Sequence, residues 1–268
     1  FTMAGVLVRV ATADVMLGGD DTIHAGAGDN VILGGSGSDA ITTLDGADII
    51  LGDNGSFTYA DDGILTLATT SDALYGDADV IDAGAGDNYI LGGAGGDTIT
   101  SGGGDDIILG DFGKIAYTGA GVITEAVTTD VDQGGDDIIR AGDGDNVILG
   151  GFGNDVIISG QGRDLIAGDN ADLLFTNGRV TSLTTTDASE TTGGADTIDA
   201  GDGDNIVLGG VGADAITGGS GNDFILGDNG RFILTAAGVL TYATTADVTL
   251  GGDDTITAGA GDNVILGG

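Results

Sequence analysis

The sequence contains no cysteine, so no disulfide bond can stabilise the folded chain. Basic residues are scarce as well: six lysines and arginines stand against 43 acidic residues, which gives a formal net charge of −37. Because a nucleic-acid site needs a basic surface to face the phosphates, this composition excludes a nucleic-acid partner. No run of 18 or more apolar residues occurs, so no membrane span is expected.

The residues that usually carry catalysis are also missing. His24 is the single histidine and has no equivalent elsewhere in the chain, so we expect it to be an exposed surface residue. No Gly-x-Ser-x-Gly motif or phosphate-binding loop is present. Carboxylate pairs are abundant, but their repetition favours ligands over a single acid–base pair. We therefore expect this segment not to be an enzyme.

Glutamate is almost absent, and this shapes the chemistry of the negative charge. Only Glu125 and Glu190 occur, so nearly all the acid is aspartate, in a chain that holds 56 glycines. Such charge opposes compaction, yet 41% of the residues are hydrophobic. Short carboxylates in glycine-rich turns are typical of sites for hard cations. Metal ions are the expected substitute for the missing disulfides.

A nonapeptide, Gly-Gly-x-Gly-x-Asp-x-Ile, recurs in tandem along the chain. Its clearest copies begin at Gly34, Gly92, Gly150, Gly209 and Gly218. These copies resemble the hemolysin-type, or RTX, calcium-binding repeats, whose signature is this nonapeptide. The resemblance covers the nonapeptide cores and implies calcium as the cofactor and a secreted, extracellular protein that is associated with the cell surface.

A longer period contains the short one. Gly-Asp-Asn triplets centred on Asp29, Asp87, Asp145, Asp204 and Asp262 are spaced by 58, 58, 59 and 58 residues. Each unit holds four nonapeptides and a segment of about 22 residues. The interpretation is one continuous repeat solenoid over residues 1–268. Its parts are a partial hairpin (1–15), four units (16–73, 74–131, 132–190 and 191–248) and a partial fifth unit (249–268). Phe1 opens in mid-pattern, which favours a segment of a longer chain.

The position of isoleucine predicts an all-β fold, a parallel β-roll. An apolar residue recurs every nine positions, for example at Ile23, Ile32, Ile41 and Ile50. Three residues around each isoleucine can form a short strand, and the glycines supply a turn in which positive φ costs nothing. Two nonapeptides then complete one coil, so the first and third repeats of a unit lie on one sheet, and the second and fourth on the other.

The segment of 22 residues predicts a β-hairpin inserted in each unit. Asn177-Gly178 between two β-like runs is a strong hairpin signal. An aspartate always follows the turn glycine by nine residues, at Asp14, Asp72, Asp130, Asp187 and Asp247. A loop would not keep its length so strictly.

The second sheet is predicted to have an apolar outer face, because both neighbours of its buried isoleucines are apolar, as at Ile49 and Leu51. A face of this size needs a cover. The nearest candidates are hairpin side chains: Phe57, Tyr59, Leu65 and Leu67, with counterparts Ile115, Tyr117, Phe232, Leu234 and Leu240. The alternative is another copy of the chain. Homo-assembly through this face or through the open sheet edges is therefore expected.

In the RTX family, calcium lies between stacked turns and is held by the motif aspartate and by turn carbonyls. The resemblance assigns this role to Asp21, Asp39, Asp48, Asp79, Asp97, Asp106, Asp137, Asp155, Asp164, Asp196, Asp214, Asp223 and Asp254. The second nonapeptide of each unit departs from the motif, with asparagine at Asn30, Asn88, Asn146, Asn205 and Asn263. These turns either bind more weakly or recruit the preceding aspartate, such as Asp29. For Asp53, Asp111, Asp169 and Asp228, turn former and ligand remain equal alternatives.

The stacking of like charges predicts a calcium-dependent fold. Asp21 would lie over Asp39, and Asp79 close to Asp97, so the apo chain should be unfolded or nearly so. The function predicted from these features is a structural segment of a long secreted bacterial surface protein: a filament, a stalk or an adhesin extender. The alternative is the calcium-triggered folding or secretion domain of a type I secreted toxin or hydrolase.

Overall fold

The computed structural model describes residues 5–247 and 249–268 and shows only strands, turns and bends in them. Residues 1–4 of the predicted partial hairpin and residue 248 of the unit 191–248 lie outside this description. The strands are β1 (Arg9–Ala11), β2 (Thr22–Gly26), β3 (Val31–Leu33), β4 (Ala40–Thr43), β5 (Ile49–Leu51), β6 (Gly55–Tyr59), β7 (Leu65–Thr70), β8 (Val80–Asp82), β9 (Tyr89–Leu91), β10 (Thr98–Thr100), β11 (Ile107–Leu109), β12 (Gly113–Tyr117), β13 (Ile123–Thr128), β14 (Ile138–Gly142), β15 (Val147–Gly151), β16 (Val156–Ser159), β17 (Leu165–Asp169), β18 (Ala171–Thr176), β19 (Arg179–Thr185), β20 (Thr197–Asp199), β21 (Ile206–Gly210), β22 (Ala215–Thr217), β23 (Phe224–Asp228), β24 (Gly230–Leu234), β25 (Leu240–Thr245), β26 (Thr255–Thr257) and β27 (Val264–Leu266).

Two parallel sheets form the roll. The first sheet has the order β2-β4-β8-β10-β14-β16-β20-β22-β26, and the second has the order β3-β5-β9-β11-β15-β17-β21-β23-β27. Neighbouring strands keep the isoleucines in register, as Ile41 pairs with Ile23 on one side and with Ile81 on the other. Two nonapeptides therefore make one coil, and the predicted parallel β-roll is confirmed.

The isoleucine ladder fills the space between these two sheets. Away from the two ends of the array its members are almost completely buried. The cluster comprises Ile32, Ile41, Ile50, Ile81, Ile90, Ile99, Ile108, Ile139, Ile148, Ile157, Ile166, Ile198, Val207, Ile216 and Ile225, with alanines beside them. The outer face of the first sheet is largely polar or small, although Val80 and Ile158 are exposed on it, and His24 is exposed there, as expected.

The inserted segments form a third, antiparallel sheet, called here the hairpin sheet. Its order is β1-β6-β7-β12-β13-β18-β19-β24-β25. Each hairpin pairs within itself and also with the hairpin of the next unit, through β7–β12, β13–β18 and β19–β24. At the tip of β18–β19, Asn177 and Gly178 have φ angles of 53° and 75°, the positive pair that a two-residue primed turn requires.

The hairpin sheet covers the apolar outer face of the second sheet. Leu51, Leu109 and Leu149 of the second sheet are fully buried against a cluster that includes Phe57 and Ile115 of the hairpins. Of the two covers expected from the sequence, the structure has the chain's own hairpins. Except at the two ends, where Val31 and Val264 stay exposed, the apolar side chains of this face are covered within one chain and are not free for the homo-assembly contact expected through it.

One predicted covering residue faces the other way. Tyr59 and Leu65 pack against the apolar cluster, but Leu67 pairs with Thr58 on the outer side of the hairpin sheet. The register shifts between Thr58 and Tyr59, and this bulge places Leu65 and Leu67 on opposite faces. Ala68 takes the inward position instead and is fully buried.

The aspartate nine residues after each turn glycine ends the hairpin. Four of the five adopt left-handed φ angles between 48° and 61°: Asp14, Asp72, Asp130 and Asp247. Aspartate tolerates this conformation better than most residues do, which explains its fixed position. Asp187 is the exception: it is buried, and its Oδ1 accepts a hydrogen bond from Asn170 Nδ2 at 3.0 Å.

Candidate metal-binding edges of the roll

The turns that lead into the strands of the first sheet form what we call the first edge. Their motif aspartates stack in one row: Asp21, Asp39, Asp79, Asp97, Asp137, Asp155, Asp196, Asp214 and Asp254. The backbone N–H of each donates to Oδ1 of the next, as from Asp79 to Asp97 at 2.8 Å and from Asp97 to Asp137 at 2.7 Å. One oxygen of each accepting carboxylate is therefore satisfied by the backbone.

The other oxygen of these carboxylates has no partner. Oδ2 is buried without a hydrogen bond in eight of them: Asp39, Asp79, Asp97, Asp137, Asp155, Asp196, Asp214 and Asp254. It faces a space that only glycine leaves open, since a methyl group on Gly34 would lie 2.4 Å from Asp39 Oδ2 and 2.0 Å from the carbonyl oxygen of Gly52. These two nearest polar atoms are both oxygen acceptors, so a cation fits between them.

The second edge consists of the turns that lead into the second sheet, and here asparagine and aspartate alternate. The row runs Asn30, Asp48, Asn88, Asp106, Asn146, Asp164, Asn205, Asp223 and Asn263. The same backbone bonds connect it: Asp106 N–H donates to Asn146 Oδ1 at 3.1 Å, and Asn146 N–H donates to Asp164 Oδ1 at 2.8 Å. Buried, unpartnered Oδ2 atoms occur at its aspartates Asp48, Asp106, Asp164 and Asp223.

Burial raises the pKa of these carboxyl groups because the charged form loses its hydration. The pKa rises to about 7 at Asp79, where the charges of Asp39 and Asp77 add to the effect of burial. Asp97 has a pKa raised well above 3.8, by burial and then by the charge of Asp137. On the second edge the pKa of Asp106 rises only to about 6, because hydrogen bonds oppose the effect of burial. The first edge therefore carries the larger electrostatic strain.

A third set of aspartates closes the turns that the hairpins interrupt. Asp111 precedes a hairpin and accepts two backbone N–H groups, from Gly135 at 3.0 Å after the hairpin and from Phe152 at 2.5 Å on the next coil. Asp169 makes the equivalent bonds with Gly194 and Val211. Both oxygens are thus satisfied, which favours the turn-former alternative for these two. In the sequence, these positions are marked only by an aspartate in place of the second glycine of the motif. The N–H groups that bond to it lie more than 20 residues away, so the sequence alone did not indicate them.

Among the residues that the structure describes, no three histidine, cysteine, aspartate or glutamate side chains converge as a metal site. A cation at either edge must therefore take most of its ligands from the backbone carbonyls of the glycine-rich turns. Calcium, which accepts six to eight oxygens in flexible geometry, suits such a set better than magnesium does. The described part of the chain also has no helix that is long and apolar enough to cross a membrane.

The raised pKa values predict that acid can partly replace the cation. In EGTA, the folded fraction should increase as the pH falls from 8 to 5, because the folded state binds protons at pKa values of about 7 at Asp79, Asp155 and Asp214, and the unfolded state only near about 3.9. The destabilisation of the folded state by these buried charges is complete at pH values above the folded-state pKa and absent at pH values below the unfolded-state pKa. Circular dichroism at each pH measures this change.

In saturating calcium the pH slope should reverse, since acid protonates the carboxylates and releases the metal. Repeating the EGTA series in about 0.5 M NaCl separates buried groups from the general net charge, since salt screens exposed charges much more than buried ones. An apo chain whose folded fraction stays constant between pH 8 and 5 would contradict the prediction.

Replacing Asp97 by alanine should raise the calcium concentration at the folding midpoint and destabilise the adjacent coils. The change deprives the N–H of Asp79 of its acceptor, which costs about 1 to 3 kcal/mol for a buried donor, in addition to the lost carboxylate. Asp62→Ala at a hairpin tip is the control, because that side chain is exposed and makes one local bond of 3.3 Å to Ile64. Calcium titrations followed by circular dichroism compare the two variants. Equal midpoints would refute the special role of Asp97.

Comparison with protein families matches the RTX calcium-binding nonapeptide repeat (4 copies) over residues 17–50, 75–108, 133–166, 190–225, 205–231 and 248–268. Together these ranges cover more than half of the chain. They contain every motif aspartate of both edges and leave out nearly all of the hairpin sheet. A search among curated proteins found no match.

Proposed function

Because the chain belongs to the RTX family of calcium-binding nonapeptide-repeat proteins, we propose that it is a calcium-stabilised structural segment of a long bacterial surface protein, acting as a filament, stalk or adhesin extender. Repeats of this family bind calcium and occur in secreted bacterial proteins. An extracellular location at the cell surface is part of the proposal. So is the division of the chain into one continuous solenoid of 58-residue units.

The proposed calcium ligands are the thirteen motif aspartates of the two edges, together with turn carbonyls. The support is the row of buried Oδ2 atoms that no donor reaches, at Asp97 and its equivalents. Bound calcium would supply the positive charge that such stacked carboxylates need. The chain's own contribution is to hold the carboxylates in register through the N–H to Oδ1 bonds and to exclude water with the isoleucine ladder.

The observation that carries the structural role is the continuity of the hairpin sheet. Hairpins of successive units pair with each other, so the roll is reinforced along its whole described length by a third layer. Strands lie about 4.7 to 4.9 Å apart in a sheet. Each unit adds two strands to each sheet and therefore about 10 Å of length without any change in cross-section. Such a design lengthens and stiffens a rod.

The edges of the sheets offer a route to further extension. Among the residues that the structure describes, the outermost strands of the roll, β2 and β3 at one end and β26 and β27 at the other, each have one unpaired side. More units of the same chain, or another copy, can continue the same pairing. End-to-end homo-assembly through these edges is thus part of the proposal, while the apolar second-sheet face is not available for it.

Electron microscopy and small-angle X-ray scattering on chains with added units test this proposal. Inserting four further copies of residues 74–131 should lengthen the calcium-loaded particle by about 40 Å at constant diameter, and EGTA should abolish the rod. The unmodified chain provides the reference length. Light scattering over a range of concentrations then reports end-to-end association.

Particles that do not lengthen with added units would remove the rod proposal. If the calcium-loaded chain is also a compact monomer at every accessible concentration, the folding domain of a type I secreted toxin or hydrolase becomes the better interpretation.

A further inference from the structure

The asparagines of the second edge make bonds that the aspartates cannot make. Asn146 Oδ1 accepts the N–H of Asp106 at 3.1 Å, so the orientation of the amide is fixed and its NH₂ group lies where an aspartate has Oδ2. That NH₂ group donates to the carbonyl oxygens of Gly142 at 3.3 Å and Gly144 at 3.2 Å. These carbonyls belong to the asparagine's own glycine-rich turn.

The same bonds recur in the other units. Asn30 Nδ2 donates to Gly28 O at 2.6 Å and to Gly26 O at 3.2 Å. In the next unit Asn88 Nδ2 donates to Gly86 O at 2.8 Å. Asn205 donates to Ala200 O at 3.1 Å and to Gly201 O at 3.3 Å. Turn carbonyls at the asparagine positions thus have a donor within the protein.

The asparagine amide also reaches the following turn, as from Asn205 Nδ2 to Gly218 O at 3.4 Å, but the aspartates of the second edge supply no such donor themselves. Asp164 follows Asn146 by one coil and is completely buried, yet its Oδ2 has no hydrogen-bond partner. A carboxylate cannot donate to turn carbonyls. At Asp223, a methyl group on Gly218 would lie 2.7 Å from Oδ2 and 3.0 Å from the carbonyl oxygen of Ala258, so two acceptors line the same space. Leaving such buried acceptors without a partner is costly, and only a cation or a proton can satisfy them.

We propose that the asparagine amide takes the place of a calcium ion at every second turn of the second edge. The first edge then binds a cation at each buried carboxylate of its row, and the second edge binds one only at Asp48, Asp106, Asp164 and Asp223. The unpartnered Oδ2 atoms have this two-to-one distribution, with eight on the first edge and four on the second. A complete 58-residue unit therefore holds three calcium ions instead of four.

The charges of the two edges agree with this distribution. An NH₂ group points its hydrogens into the turn, where they would repel a cation, and it brings no negative charge for a cation to neutralise. The second edge therefore folds with fewer ions than the first. The proposal depends on calcium binding but not on the rod function.

Two triple variants with opposite effects test the proposal. Asp106, Asp164 and Asp223 are all changed to asparagine in one, and Asn88, Asn146 and Asn205 are all changed to aspartate in the other. Bound calcium per chain is measured by elemental analysis after equilibrium dialysis in calcium. We expect the first variant to lose three ions and the second to gain three.

A matched control has the same charge change one residue before each asparagine. Asp87, Asp145 and Asp204 are exposed neighbours, and changing all three to asparagine should leave the calcium count unchanged. A loss of three ions in this control would show that these aspartates are recruited as ligands, and this outcome would overturn the proposal. An unchanged count in the Asp→Asn triple would also overturn it, because asparagine would then hold calcium as aspartate does.

The Asp→Asn triple decides the question even if the Asn→Asp triple does not fold. It removes three buried charges and adds three donors, so it should retain more β-sheet circular dichroism in EGTA than the unmodified chain and should need less calcium at the midpoint. A higher calcium midpoint than that of the unmodified chain would contradict the proposal. A failure of the rod experiments would leave the calcium counts unaffected.

Discussion

Excess EGTA at pH 8 should convert the chain into a largely disordered polymer, and millimolar calcium should restore the β-sheet signal in one cooperative step. Twelve motif carboxylates, among them Asp97 and Asp137, have a buried Oδ2 without a partner. Without bound calcium, each of them loses its hydration on folding and gains no compensating interaction. Net charge of −37 adds repulsion to this cost. Far-UV circular dichroism against free calcium measures the transition.

Magnesium at equal concentration is the control for this experiment. It gives up its water molecules reluctantly and demands near-octahedral geometry, so it should not restore the fold. A β-rich spectrum that does not change with chelator would contradict the calcium dependence, and equal rescue by magnesium would contradict its selectivity.

Replacing Leu173 and Leu183 together by serine should detach the hairpin sheet locally while the roll remains loaded with calcium. The two leucines pair across β18 and β19, are fully buried and belong to the cluster between the hairpin sheet and the second sheet. Each loss should cost about 3 to 5 kcal/mol, since a cavity and a buried hydroxyl replace the side chain. The uncovered leucines of the second sheet should then bind a hydrophobic dye such as ANS.

Leu174 provides a matched control on the same strand. It points to the outer face of the hairpin sheet and is 43% exposed, so Leu174→Ser should change the stability by less than about 0.5 kcal/mol. Dye fluorescence, thermal unfolding in calcium and the calcium content are measured for both variants. Equal dye binding by the two variants, or loss of calcium from the double variant alone, would contradict the prediction that the hairpin sheet can detach while the roll keeps its calcium.

The roll could be predicted because its signals are local and repeated. A nine-residue spacing of isoleucine between glycine turns leaves one register in which Ile41 and Ile81 are both buried, since a slip by one residue would expose the whole ladder. The motif aspartates follow from the same register.

Contacts between residues that are far apart in the sequence could not be predicted in the same way. The pairing of β7 with β12 joins Ala68 to Ile115, and nothing in the period indicates whether a hairpin pairs with its neighbour or stands alone. The bulge that turns Leu67 outward depends on how two strands meet. The role of Asp111 depends on N–H groups from two separate turns, and the orientation of the Asn146 amide depends on a bond from Asp106.

The small axial advance of the coils has a mechanical consequence. One unit occupies about 10 Å along the axis in the fold, whereas 58 extended residues reach roughly 200 Å. Contacts in a solenoid are mainly between neighbours, so tension applied at the ends should peel units off one at a time. In the proposed stalk, each release would lengthen the chain by nearly twenty times the folded length of the unit and dissipate part of the load. Calcium would let the peeled unit fold again when the force falls.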